Sequence, residues 1–163
     1  MDKVFVIYEC SGDYEMYSET PIGFTTLEDE AKSYVDKRNA YNDMLEETMN
    51  TENRFEFLDA ITEWDYIAEG IIEKFQNENE VPGFNKTEDR VINPKEYIKW
   101  VNEVENPMIE NERVKYFENN PDAQKYLPEG KTWKEYLKMY DDYEDYIQYY
   151  YDYKYEVVNK LKE

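Results

Sequence analysis

The sequence predicts an α+β protein, mostly helical, with an N-terminal β-hairpin followed by an α-helical bundle and a long Tyr-rich C-terminal helix. Three observations predict it. Residues 4–9 (Val-Phe-Val-Ile-Tyr-Glu) are a β-branched and aromatic run, closed by the turn chemistry of Ser11-Gly12-Asp13. From residue 26 onward, apolar side chains recur at spacings of three and four, the period of a helix. Helix-starting pairs and a capping box then punctuate the second half. A length of 163 residues suits a single domain over 1–163, read as a strand–strand–helix module at 1–49 and a helical portion at 50–163.

Residues 14–24 offer the second strand, with Pro21 near its end and Gly23 giving a bend. Thr26-Leu27-Glu28-Asp29 then predicts a Thr cap with acids in the first helical turn, at the positive end of the helix dipole. Ala31, Tyr34, Val35, Arg38, Tyr41 and Leu45 continue that helix. Asn50-Thr51-Glu52-Asn53 separates it from a second, whose apolar face is Leu58, Ile61, Trp64, Ala68, Ile71, Ile72 and Phe75. Residues 77–87 read as a loop, with Val81-Pro82-Gly83 as its clearest turn.

Asn93-Pro94, Asn106-Pro107 and Asn120-Pro121 each announce a helix, because Asn is a good N-cap and Pro suits the first helical position. The residues after each Pro do not match, so the spacing is no true repeat. Thr132-Trp133-Lys134-Glu135 is a capping box that opens the last helix. Tyr136, Tyr140, Tyr143, Ile147 and Tyr150 form its stripe, read as continuing to Val157 or Val158 and Leu161.

Acid-rich chains are often disordered, but 18 Tyr, 7 Phe and 3 Trp supply enough buried area for a packed core. The single Cys10 excludes an internal disulfide and a Cys-based zinc site, and fits a reducing, intracellular setting. There is no His, hence no His-dependent triad and none of the commonest metal ligand. No apolar run reaches the length of a membrane span, and the first residues do not read as a signal peptide. Five glycines form no phosphate loop, and no nucleophile elbow is present. Asp141-Asp142-Tyr143-Glu144-Asp145 lacks the alternating ligands and central Gly of an EF-hand. Among 39 acids a carboxylate pair carries no glycosidase signal. The expectation is a protein that is not an enzyme, with no cofactor and no metal.

Charge points further. The 39 acids outweigh 19 bases for a net −20, and residues 41–80 hold 12 of the acids against only Arg54 and Lys74. Glu52, Glu56, Asp59, Glu63, Asp65, Glu69 and Glu73 are read as one acidic helical face, with Asp43, Glu46 and Glu47 of the preceding helix as a second row. One row carries a charge per roughly 5 Å of axis against roughly 1.7 Å for duplex DNA, so the second row is needed. Crowding of this kind predicts raised carboxylate pKa values. A face built for solubility normally mixes signs, and the missing lysines favour an electropositive partner; a merely solvated face is the competing reading. Tyr146, Tyr149, Tyr151 and Tyr153, interleaved with acids, are expected at the surface, gripping arginines by charge and cation–π contact. Direct binding of nucleic acid is not expected, since nothing here neutralises phosphate.

Small size, strong acidity, an aromatic core and the lack of a catalytic signature together resemble the DNA-mimic and anti-CRISPR inhibitors carried by bacteriophages. Val4-Phe5-Val6-Ile7-Tyr8, the Gly12 turn and Phe24-Thr25-Thr26-Leu27-Glu28-Asp29-Glu30-Ala31 are similar to a strand–strand–helix start in many small phage and bacterial proteins, over about a quarter of the chain. The inhibitor classes share physics rather than a motif, so no residue role is carried over. The resemblance implies an inhibitor, cytoplasmic in an infected bacterial host, that occupies the basic nucleic-acid groove of a CRISPR effector nuclease or restriction enzyme. The alternative is a general protein–protein interaction module docking through the Tyr-rich helix, with the acidity serving solubility.

Overall fold

Phe5 and Ile7 turn to one face of the first strand, β1 (Lys3–Ser11), and both are buried. β1 is the central strand of an antiparallel sheet in the order β2-β1-β5, with β2 at Ser18–Thr25 and β5 at Asp152–Asn159. The computed structural model describes residues 3–12, 16–50, 54–149 and 151–159. Its architecture is α+β and mostly helical, with the N-terminal hairpin leading into the helices. Packing divides the chain into two units, Met1–Thr51 with Lys138–Glu163 and Glu52–Leu137.

In the first unit, the β1–β2 register skips Ile22, placing a bulge opposite the step from Ile7 to Tyr8. Pro21 falls on this edge strand, where a missing N–H is tolerated. Gly12 has φ 98, and a Cβ there would lie 2.3 Å from the Met16 carbonyl oxygen, so the turn needs glycine. Helix α1 (Glu28–Met49) lays Ala31 and Val35 on the sheet against Phe5, Ile7 and Tyr153. Its start is set by Thr25 rather than Thr26. The Thr25 hydroxyl accepts from Leu27 N at 3.1 Å and donates to Glu30 Oε2 at 2.6 Å.

The C-terminal helix is shorter than expected. Helix α5 spans Trp133–Tyr149, and the chain then becomes β5. Val157 and Val158 therefore lie on a strand; Tyr150 and Leu161 are outside the described residues. The cause is a period of two in Tyr151-Asp152-Tyr153-Lys154-Tyr155-Glu156-Val157, which sends alternate side chains to the core face. Tyr155 pairs opposite Ile7 and Tyr153 opposite Glu9. The expected stripe holds within α5 itself, where Tyr136, Tyr140 and Tyr143 are buried.

The second unit is built on α2 (Arg54–Glu78). Phe57, Ile61, Trp64 and Ala68 are its buried stripe. Phe57 is the hub, with ring centroids 5.7 Å from Phe117, 5.4 Å from Tyr126 and 5.2 Å from Tyr136. After α2, the segment read as loop contains a short strand, β3 (Phe84–Asn85), which pairs antiparallel with β4 (Arg90–Val91) just beyond it. Asn93 caps α3 (Pro94–Trp100) as expected, its side chain accepting from Glu96 N. Asn106-Pro107 opens no separate helix. The chain runs from α3 through a π-helical segment, Val101–Glu105, into α4 (Asn106–Glu118). Pro107 has no N–H for the Glu103 carbonyl, and the Asn106 N–H reaches back five residues to Val101 O. The buried Glu105 in this segment accepts from Gln76 Nε2 at 2.6 Å. Asn120 caps a 3₁₀ turn, Pro121–Tyr126. The capping box at the head of α5 forms in full: Glu135 N donates to Thr132 Oγ1, and Thr132 N donates to Glu135 Oε2.

Candidate functional site

The outer surface of α2 carries Glu56, Asp59, Glu63, Asp65, Glu69 and Glu73, and all six are exposed. Glu52 lies outside the described residues. The six do not make one face. At 3.6 residues per turn, Glu56, Asp59 and Glu63 form a row on one flank of the buried stripe, and Asp65, Glu69 and Glu73 form a row on the other, roughly 110° around the axis. Tyr66 stands between the rows and is 75% exposed. Glu63 and Glu69 lie three residues to either side of it, and Asp59 and Glu73 seven. One turn on from Tyr66, Gly70 leaves open space, with nothing within 4 Å of where a Cβ would sit. This ring is the feature that sequence reading missed, although the helical period alone would have centred Tyr66 among the acids.

Internal partners thin the first row. Glu56 Oε2 accepts from Lys125 Nζ at 3.0 Å and from the Tyr126 hydroxyl at 3.3 Å. These contacts hold the Glu56 carboxyl below its ordinary value, the hydrogen bond from Lys125 being the largest cause, where crowding alone predicts a rise. Lys125 also lies over the Tyr126 ring, 4.8 Å from its centroid. Together with Asp59, Glu63 and Asp122 these residues line a shallow groove of about 430 Å³. The pKa of the Tyr116 hydroxyl is raised, by burial first and then by the Glu63 charge. Among the described residues, Asp59, Glu63, Asp65, Glu69 and Glu73 have no cationic side chain in ion-pair contact.

Asp43, Glu46 and Glu47 sit on α1, in the first unit. Asp43 and Glu47 are exposed, while Glu46 is half-buried and accepts from Asn50 Nδ2 at 3.1 Å.

Of the four tyrosines expected at the surface, Tyr149 is exposed and Tyr146 and Tyr151 are half-buried. Tyr153 is a core side chain, 8% exposed. Its ring packs edge-on to Tyr34 and its hydroxyl donates to Glu9 Oε2 at 3.1 Å. The reason is again the strand: residues on β5 alternate between core and solvent, so Tyr153 and Tyr155 turn to α1.

No group of three or more acids and cysteines among the described residues is placed to hold a metal ion. No helix among them is long and apolar enough to cross a membrane. The chain matches no protein-family model, no curated protein and no solved structure, so the roles of these residues are argued from their chemistry alone.

Proposed function

We propose that this chain is a non-enzymatic inhibitor that binds the basic nucleic-acid groove of a bacterial protein, a CRISPR effector nuclease or a restriction enzyme, in the cytoplasm of an infected host. The observation that carries the reading is the outer surface of α2. Five exposed carboxylates without cationic partners among the described residues surround an exposed aromatic ring. Exposed acids without counter-charges repel one another and cost compact-state stability, which a solubilising face avoids by mixing signs. A groove lined with Arg and Lys supplies the missing charge, and Tyr66 offers a rigid aromatic for a guanidinium to stack on. Inhibition needs no chemistry: occupancy excludes the nucleic acid, and steering by the field makes association fast.

The alternative, docking through the Tyr-rich helix, retains less surface than its sequence suggests, because Tyr153 is in the core. The test is competition. Purified chain is added to a panel of restriction and CRISPR nucleases, and their binding of labelled nucleic acid is measured. Loss of nucleic-acid binding by one of them, reversed when Asp59, Glu63 and Glu69 are changed to Lys, supports the reading. A gel shift of DNA or RNA by the chain alone overturns it.

A further inference from the structure

The first unit contains a cleft of about 550 Å³ that the α2 surface does not share. Its walls follow from helical period. Arg38, Tyr41, Asn42 and Leu45 fall on one face of α1; Lys138, Asp142, Asp145 and Tyr146 fall on one face of α5. Glu9 of β1 and Tyr151 and Tyr153 at β5 complete it. A concave, aromatic-lined site with a few converging polar groups is the ordinary form of a ligand site.

The charges decide what fits. Lys138 is neutralised by Asp142 at 2.7 Å, and the same carboxylate oxygen accepts the Tyr41 hydroxyl at 2.6 Å. Arg38 lies over the Tyr153 ring, 5.0 Å from its centroid, and over Tyr34 at 5.8 Å. The cleft thus already holds one guanidinium on a tyrosine face. Asn42 Nδ2 donates to Tyr151 O at 2.9 Å, which fixes the backbone that carries the Tyr151 ring. Asp145 is exposed and in no ion pair among the described residues, and Glu9, Tyr146 and Tyr151 line the same cleft, Glu9 accepting the Tyr153 hydroxyl. Three carboxylates face two bases, both bases are already engaged, and the whole chain carries −20. An anion would meet those carboxylates and that field; a cation meets one open carboxylate flanked by aromatic rings.

We infer that the cleft between the Arg38–Leu45 face of α1 and the Lys138–Tyr146 face of α5 is a binding site for one alkylguanidinium or alkylammonium group, held by Asp145 and the rings of Tyr146 and Tyr151. The inference stands apart from the reading of α2, because it concerns other residues in the other unit. The group could arrive on an arginine or lysine of a protein or on a free polyamine; the chemistry is shared.

Titration of the whole chain with N-acetyl-arginine methylamide, spermidine and inorganic phosphate, followed by NMR of the tyrosine ring signals, tests it. Saturable shifts of Tyr146 and Tyr151 with the capped arginine or spermidine are expected, and none with phosphate. Asp145→Asn should weaken binding about fivefold, as should Tyr151→Leu. Glu110→Gln, at an exposed carboxylate outside both surfaces, should leave it unchanged. Tighter binding of spermidine supports a free polycation as the source, and tighter binding of the capped arginine supports a protein side chain. The inference is overturned if neither cation shifts these rings, if phosphate shifts them equally, or if Asp145→Asn has no effect while its circular dichroism matches wild type. That last comparison separates loss of the site from loss of the fold.

Discussion

The side-chain amide of Asn39 pairs with both backbone groups of Tyr153. Its Nδ2 donates to Tyr153 O at 3.0 Å, and its Oδ1 accepts from Tyr153 N at 3.0 Å. β5 is an edge strand, and this amide supplies there what a further strand would supply. Asn42, one turn on, treats the Tyr151 carbonyl similarly. Two asparagines on α1 therefore fasten the helix to the sheet edge.

Replacing Asn39 with Ala removes both bonds: the part-buried Tyr153 carbonyl loses this donor, while its N–H keeps Asp152 Oδ1 at 2.8 Å. We expect destabilisation of about 1–3 kcal/mol. Urea unfolding followed by circular dichroism measures it. Asn39→Asp keeps an acceptor but loses the donor, and should fall between wild type and Ala.

The two rows on α2 differ from acids elsewhere if they form the interface. Asp59→Lys, Glu63→Lys and Glu69→Lys together should weaken partner binding by roughly a hundredfold. Reversal of the exposed Glu103, Glu110 and Glu129 should change it little. Affinity should also fall with added salt, since exposed charges are screened over roughly 8 Å near physiological ionic strength. Equal losses from both triples would mean that only total charge matters.

Glu56 gives a pH dependence opposite in sign to that of crowded carboxylates. Its folded pKa is lowered, chiefly by Lys125, so the unfolded chain binds more protons in the acid range. Its stabilisation is present above the ordinary carboxylate pKa and is lost as pH falls through the lowered value. A difference in thermal midpoint between wild type and Glu56→Gln should appear at pH 7 and close below about pH 4. A difference that persists into acid would separate the contact from the Glu56 charge.

Tyr41 and Tyr153 act at the other end of the scale. Burial first, then hydrogen bonds to Asp142 and Glu9, push both hydroxyls up to about 12. Raised pKa values mean the folded state keeps protons that the unfolded state has released. Their stabilisation is complete below about pH 10 and is lost as pH rises towards 12. Ultraviolet titration should show a late tyrosinate component beyond the main wave, reduced in Tyr41→Phe. Its absence would show that neither hydroxyl is held as the geometry places it.

Much of this fold was legible because its signals are local. The β1–β2 hairpin, the Asn93 and Asn120 caps and the Thr132–Glu135 box each lie within a few residues of what they specify. β5 was missed because Tyr140, Tyr143, Ile147 and Tyr150 keep a helical period up to the very residue where a two-residue alternation begins. Tyrosine serves either pattern, and the pairing with β1 that decides it is remote in sequence. Pro107 misled for a related reason: a missing N–H can end a helix or be absorbed by a π turn, according to what surrounds it. In the candidate site the acids were legible as types. Their division into two rows around Tyr66 follows from α2 being one continuous helix. The Glu56–Lys125 pair spans 69 positions, and nothing local announces it.

Because β5 closes the sheet, the first unit is assembled from segments that leave the ribosome far apart in time. Glu9 and Tyr153 are 144 positions apart, and the whole of Glu52–Leu137 is synthesised between them. The intervening unit can complete its aromatic core around Phe57 while β1 still has only β2 beside it. Until β5 emerges, the other edge of β1 is an open template, with Phe5 and Ile7 short of their tyrosine cover. Closing so long a connection is entropically slow, and a nascent chain waiting in that state is poised to pair with a neighbour instead. High negative charge keeps such neighbours apart. The acidity proposed to meet a basic groove would then also guard the chain during its own biogenesis.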